Sequence, residues 1–212
     1  MSEQTSINWQ QLYRHRRAIA QRFGAIWDIP VRKRYHQVLS DLGEAGISLL
    51  EIGAGNRGLA HRMGNYWSHF DYRSCDIDDT YEHDFGHISK IEGRYDVICA
   101  FEVIEHMPLQ EAADMLVKLR QHLKPGGRLV LTTPNTFYPP AFLRDATHIT
   151  PFCFDELAGL VNLAGFRVQS IYRLYHDALF KKFIRRIVMY PLFRLLGIDY
   201  AKQILVVAEN PG

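Results

Sequence analysis

The sequence predicts an α/β fold: a doubly wound, mostly parallel sheet preceded by a helical N-terminal extension. Three observations carry this. Short β-type runs alternate with stretches of helical periodicity, which places helices on both faces of a parallel sheet. The first run, Ile47–Ile52, stops at a glycine-rich turn, Glu51-Ile-Gly-Ala-Gly-Asn-Arg-Gly58. The second run ends on an acid, Asp76, 18 residues beyond Gly58.

Residues 8–41 carry Trp9, Leu12, Ile19, Phe23, Ile26 and Trp27 on an apolar helical side, and Pro30 divides them into two pieces. The strand at 47–52 leads into a helix over Gly58–Tyr66, then into strands over Tyr72–Ile77 and Tyr95–Phe101. Ala112, Leu116, Leu119 and Leu123 define a helix over 109–123 that Lys124-Pro-Gly-Gly127 stops. Arg128–Thr133 reads as a strand and Asp155–Ala164 as a helix closed by Gly165. Phe166–Tyr172 and Gln203–Ala208 read as the last strands. The division expected is a helical extension or lid over 1–42 and one α/β domain over 43–212. That domain carries an amphipathic basic insert at about 176–200.

With 212 residues, 47% hydrophobic and 23% charged, the chain has material for a real core and a composition near the globular average. The net charge of +2 selects no partner, but its distribution is uneven. Arg14, Arg16, Arg17, Arg22, Arg32, Lys33 and Arg34 crowd one end, and Lys181, Lys182, Arg185 and Arg186 the other. Cys75, Cys99 and Cys153 are too widely spaced for a zinc motif and read as core residues. A polar beginning and the lack of any apolar run of about 18 residues predict a cytoplasmic protein.

In such sheets ligands bind beyond the carboxyl ends of the strands, so 53–58, 76–78, 102–106 and 134–136 are the segments to inspect. The glycine turn alone would fit a dinucleotide enzyme. Glu51 argues against that, because a buried carboxylate repels a pyrophosphate and attracts an ammonium. Asp76 is placed to accept both hydroxyls of a ribose.

These segments, with CDID, YDVICAFEVIEHM, LKPGGRLVLTTPN and LAGF, resemble the class I S-adenosylmethionine methyltransferases, and most closely their ubiquinone-biosynthesis O-methyltransferase-like branch. The resemblance spans about 47–172 together with 203–208. It implies a Rossmann-like sheet of seven strands with S-adenosyl-L-methionine as cofactor. Glu51, Gly53, Ala54 and Gly55 would line the methionine part, Asp76 would hold the ribose with Ile77 beside it, and Asp84 would read the adenine amino group. Phe101 and Glu102 are further lining candidates. Only seven residues separate Asp76 from Asp84, so the family's second helix and third strand are compressed here.

Glu102, Glu105 and His106 fall at i, i+3 and i+4, which share one face of a helical turn and suit Mg²⁺ or Zn²⁺. A packed and capping role for His106 is the plainer alternative. In Asp145-Ala-Thr-His148, the histidine is a candidate base with Asp145 orienting it, and Asn135 is a candidate to bond the acceptor. Tyr13, Trp27 and Tyr35, with the N-terminal arginines, suit an anionic or aromatic acceptor; a solvated basic face is the simpler reading.

Over 178–196, apolar pairs alternate with basic pairs every four residues until Pro191, giving a greasy and a cationic face. Such a helix suits the inner face of an anionic membrane or a lipid-linked acceptor, and equally a homodimer interface or the cleft wall. The expected activity is O-methylation of a small-molecule, glycan or lipid-linked acceptor, with no role for DNA. N-methylation of a small molecule or RNA, a non-catalytic cofactor-binding or membrane-docking subunit, and a nicotinamide dehydrogenase are the competing readings.

Overall fold

A computed structural model describes residues 7–32, 34–43, 46–176 and 179–212. Lys33, Ala178 and the Lys182 side chain, named above, lie outside what it describes.

The chain opens with α1 (Trp9–Phe23), capped by the Asn8 side chain, which accepts from the Gln10 and Gln11 N–H groups. β1 (Val31–Arg32) and α2 (Tyr35–Ser40) follow, then β2 (Ile47–Ile52), α3 (Gly58–Met63) and β3 (Phe70–Cys75). After β4 (Tyr95–Phe101) come α4 (Leu109–Gln121) and β5 (Leu123–Pro134), then α5 (Pro139–Leu143), α6 (Phe154–Leu163) and β6 (Arg167–Leu174). The chain ends with α7 (Leu179–Phe183), α8 (Tyr190–Leu195) and β7 (Gln203–Glu209).

The seven strands form one sheet in the order β1-β6-β7-β5-β4-β2-β3, parallel throughout except for β7. Alternate residues feed opposite faces, as the period-2 pleat requires. Leu50, Ile98 and Leu129 enter a core that also takes Leu12 and Ile19 of α1, Leu116 of α4 and Leu157 of α6. Leu49, Val97 and Val130 enter a second core with Val38 of α2 and Leu59 and Met63 of α3.

Three expectations change, and the compression after β3 is as expected. Residues 8–41 are not all helical: Val31 and Arg32 join the sheet edge beside β6, because Pro30 breaks the helix and its carbonyl accepts from the Arg173 N–H. That edge pair supplies the seventh strand. The family's third strand has shrunk to a single bridge between Cys75 and Phe85, as the short spacing forewarned. β5 begins at Leu123, so Pro125-Gly126-Gly127 are part of the strand and not a turn before it. The insert is not one helix ending at Pro191. A π turn over Ile184–Val188 separates α7 from α8, and Pro191 sits in the first turn of α8, where its missing N–H costs nothing. The four-residue repeat explains the wide turn: it outruns the 3.6-residue α period, and a π turn recovers the excess.

Helix α1 lies against α6 and not above the strand ends. A Cβ on Gly159 of α6 would come within 2.9 Å of the Arg16 backbone nitrogen, so the glycine sets the closeness of the two helices. Arg16 also pairs with Asp155 at 2.8 Å in the first turn of α6. Tyr35 of α2 reaches the strand ends, where its ring packs 4.3 Å from that of Phe101.

Candidate active site

Strand order reverses between β2 and β4, and the chain leaving these two strands forms the floor of the site. After β2 the backbone turns through Gly53 (φ 68°) and Gly55 (φ 46°), left-handed conformations that favour glycine. A Cβ on Gly53 would lie 2.4 Å from Val103 Cγ2, whereas one on Gly55 would meet nothing within 4 Å. The first glycine is therefore needed for packing against the chain leaving β4, and the second leaves its backbone open to a ligand. Ala54 is buried and its carbonyl accepts from the Arg57 N–H, closing the turn.

Asp76 clasps this loop from the end of β3. Its Oδ2 accepts from the Gly55 N–H at 2.7 Å and its Oδ1 from the Asp78 N–H at 3.0 Å. Each oxygen keeps a lone pair, so the pair can still accept two hydroxyls. Ile77 beside it is 83% exposed, an apolar surface next to the carboxylate. Glu51 is buried, accepts from the Tyr72 hydroxyl at 2.5 Å, and has its pKa pushed up to about 7 by burial against the opposing pull of that hydrogen bond. Two acids flank the loop. They suit a ribose and a cationic amino-acid tail, and they oppose a diphosphate.

Two of the expected cofactor residues are engaged by neighbours in the fold. The Asp84 carboxylate is engaged by the Ser74 N–H (2.9 Å), the Ser74 hydroxyl (3.0 Å) and Arg73 (3.0 Å), with Arg57 3.5 Å away. These bonds tie the returning chain to β3 and spend part of the carboxylate's accepting capacity on the protein itself. Phe101 is not an open wall but is covered by Tyr35.

Glu102, just past β4, holds a left-handed φ of 56°, a conformation that costs a non-glycine residue about 1–3 kcal/mol. Its Oε1 is buried without a hydrogen-bond partner, and burial raises its pKa although Gln203 and Thr132 bond the carboxyl. The following 3₁₀ turn, Ile104–His106, directs Glu105 and His106 elsewhere, so the expected Glu102–Glu105–His106 triad does not form. Instead Glu105, His106 and His148 bring ligand atoms within 4.8 Å of one another. The loop that delivers His148 is pinned by the Ile149 and Thr150 N–H groups, which both donate to the Glu105 carbonyl.

Within this cluster Glu105 is fully buried. Its two carboxyl oxygens and the neighbouring Thr133 hydroxyl lack hydrogen-bond partners, and burial, with Glu102 nearby, raises its pKa to about 8. The rings of His106 and His148 sit 4.8 Å apart. His148 Nδ1 lies 2.8 Å from the Phe142 carbonyl, which can only accept; Nδ1 therefore carries the proton and Nε2 keeps its lone pair. Asp145 Oδ2 lies 3.8 Å from that Nε2, and its Oδ1 holds Thr147. The loop geometry thus supports a basic His148, with Asp145 shaping the loop more than touching the ring.

Asn135 is not an acceptor-binding residue. It is fully buried, its amide donates to Asp199 and to the Ala201 carbonyl (both 3.0 Å), and its oxygen accepts from the Phe137 N–H. Asp199 in turn pairs with buried Arg173 at 2.8 Å, and Arg173 reaches the carbonyls of Ile29 and Trp27. Sequence reading missed this polar knot, because Arg173 and Asp199 fall in no motif and meet only through the fold.

A methyltransferase-domain family model matches residues 19–171. The chain belongs to this methyltransferase family. No curated protein matches it. Among solved structures, a SAM-dependent methyltransferase from Archaeoglobus fulgidus superposes with a TM-score of 0.64 at 14% identity, covering 95% of this chain and 100% of that one. The N-methyltransferase NodS from Bradyrhizobium japonicum superposes at 0.57 and 14% identity, covering 84% and 94%. The geranyl diphosphate C-methyltransferase from Streptomyces coelicolor superposes at 0.59 and 15% identity, covering 82% and 74%. These likenesses establish the fold, and the family establishes a SAM-dependent methyltransferase.

S-adenosylmethionine fits the residues present. The open backbone at Gly55, the free lone pairs of Asp76, exposed Ile77 and the Glu51 carboxyl supply what a ribose, an adenine face and an ammonium require. When bound, the cofactor supplies a methyl group on a positively charged sulfur, already activated for displacement. The chain must then align an acceptor with that methyl and manage the acceptor's proton.

Proposed function

We propose that this methyltransferase transfers the methyl group to a hydroxyl oxygen of a small-molecule, glycan or lipid-linked acceptor, with His148 as general base. One observation carries the reading: His148 Nε2 keeps a free lone pair while Nδ1 is anchored on the Phe142 carbonyl, beside the strand ends that hold the cofactor loop. His148 takes the hydroxyl proton as the acceptor oxygen bonds the methyl carbon. Glu105, buried beside the imidazole with its pKa raised to about 8, holds its own proton at pH 7 and so does not compete for the one that His148 takes. The likeness of FEVIEHM to the ubiquinone-biosynthesis O-methyltransferases supports oxygen as the acceptor atom. The fold does not choose it, since the NodS and geranyl diphosphate enzymes are an N- and a C-methyltransferase.

A second reading of the same cluster has Glu105, His106 and His148 holding Zn²⁺ or Mg²⁺, which would orient the acceptor oxygen. The buried, unpartnered Glu105 carboxyl and the imidazole pair favour it. The insert adds a place of action. Phe180 and Leu195 are 74% and 82% exposed, with Phe183, Ile187 and Val188 also exposed among Lys181, Arg185 and Arg186, a composition suited to an anionic membrane surface. No helix among the described residues is long and apolar enough to cross a membrane.

The test supplies methyl-labelled S-adenosylmethionine with a panel of hydroxylated lipids, glycans and small phenols. His148→Gln is expected to lower kcat by about 10²–10⁴-fold and leave S-adenosylhomocysteine affinity unchanged. A chelator that abolishes wild-type turnover selects the metal reading. A product methylated on nitrogen or carbon, or full activity in the variant, rejects the general-base proposal.

A further inference from the structure

Beyond the cofactor loop, a cleft of about 190 Å³ opens at the carboxyl end of the sheet. Arg34, His36, Arg62, His176 and Lys202 line it, and no carboxylate does. Arg34 comes from the segment before α2, Arg62 from α3, His176 from the chain leaving β6 and Lys202 from the chain entering β7. Four separate segments thus bring basic groups to one place, which no amphipathic pattern on a single element would produce.

Within the cleft lining these groups have no anionic partner, and Arg62 feels a carboxyl from outside it, that of Glu51. Arg34 meets the His176 ring at 3.1 Å, so one basic side chain is held by another. Arg62 donates to the Gly58 carbonyl and lies over the Tyr35 ring, 5.8 Å from its centroid. The Lys202 ammonium makes no ion pair among the described residues. His36 is 91% buried, its pKa is lowered by burial and by Arg34 and Arg62, and its Nδ1 has no hydrogen-bond partner. Gathering like charges around a cavity costs free energy, and a bound anion repays it. The volume, about six waters by liquid volume, accommodates a phosphate or diphosphate group.

The cleft also touches the reaction centre. Gln203, the first residue of β7, lines it, and Tyr35 lines it while packing on Phe101 at the end of β4, the residue before Glu102. His176 opens the insert that carries exposed Phe180 and Leu195, and Lys202 follows its far end.

We propose that this cleft is the acceptor's anion subsite, and that the acceptor is a phosphate or diphosphate ester whose phosphoryl group is seated by Arg34, Arg62 and Lys202. The inference rests on the acceptor-methylating reading above, and it names the acceptor's chemical class. The position of the insert indicates a lipid-linked ester, with the apolar tail leaving along α7 and α8.

The experiment titrates the full chain with inorganic pyrophosphate by calorimetry, and separately measures co-sedimentation with phosphatidylcholine vesicles carrying a polyprenyl phosphate or phosphatidylglycerol. The variants are Arg34→Ala/Lys202→Ala and, as a charge-conserving control, Lys202→Arg. Expected results are pyrophosphate binding weakened at least tenfold in the double variant and retained in Lys202→Arg, with S-adenosylhomocysteine affinity and Tm unchanged. Stronger retention on polyprenyl phosphate than on phosphatidylglycerol supports the lipid-linked source. Equal retention on both, with pyrophosphate binding intact, supports a soluble phosphate ester. Absent pyrophosphate binding, or a parallel loss of S-adenosylhomocysteine affinity, overturns the proposal; the latter assigns the cleft to the cofactor's own carboxylate. Failure of the general-base reading is separate, because His148→Gln leaves pyrophosphate binding untouched.

Discussion

The two halves of the site are built in different ways. On the cofactor side, Glu51, Gly53, Gly55 and Asp76 come from two neighbouring strands and the turn between β2 and α3, and they are held by backbone hydrogen bonds. On the acceptor side, His106 and the loop of His148 meet across 41 residues of chain. The Asn135–Asp199–Arg173 knot joins segments at least as far apart as Asp199 and Arg173, 26 residues. A local, backbone-held site tolerates side-chain change outside its few glycines and acids. A site assembled from distant segments depends on the buried polar groups that fasten them.

That contrast can be tested at its strongest point first. Asp199→Ala leaves the Arg173 guanidinium buried without its counter-charge and removes an acceptor from Asn135, so a stability loss of about 3–5 kcal/mol is expected in denaturant unfolding. A loss below about 1 kcal/mol would show that the knot does not fasten the acceptor side. Asp76→Ala acts on the other half. It removes a charged acceptor of ribose hydroxyls and orphans the Gly55 N–H, an effect of about 1.5–3 kcal/mol on S-adenosylhomocysteine binding, or roughly 10–150-fold by calorimetry. Unchanged affinity would move the ribose away from Asp76.

A third effect concerns the pH dependence of stability through Glu51 in the ligand-free protein. Its folded pKa of about 7 exceeds the ordinary 4.5, so the folded state holds the proton longer than the unfolded chain. Stability is therefore highest below about pH 4.5 with respect to this group, falls as pH rises through 7, and levels off above. Glu51→Gln keeps the acceptor for Tyr72 and should flatten this fall, measured as urea midpoints between pH 5 and 8. Identical pH profiles in both proteins would place the titration elsewhere.

Much of the cofactor half was legible because its signals are contiguous. The strands Ile47–Ile52 and Tyr95–Phe101 were read with their observed boundaries, and Gly53, Gly55 and Asp76 lie where their spacing placed them. Asp84 matches the motif position, and the compression of the chain also put Ser74 and Arg73 within its reach. Asn135 has a place after a strand that is right for a ligand, but Asp199 and Ala201 are folded over it.

The sequence by itself determined the α/β class, the cofactor loop and the family, since period-2 runs, left-handed glycines and strand-end acids act over a few residues each. The tertiary structure decided that Val31–Arg32 would form the sheet edge, that His148 and not Glu102 would join Glu105 and His106, and that four distant basic residues would share one cleft. Those outcomes depend on loop closure and on the packing of separate segments, whose energies are set by which surfaces meet and leave no periodic trace along the chain.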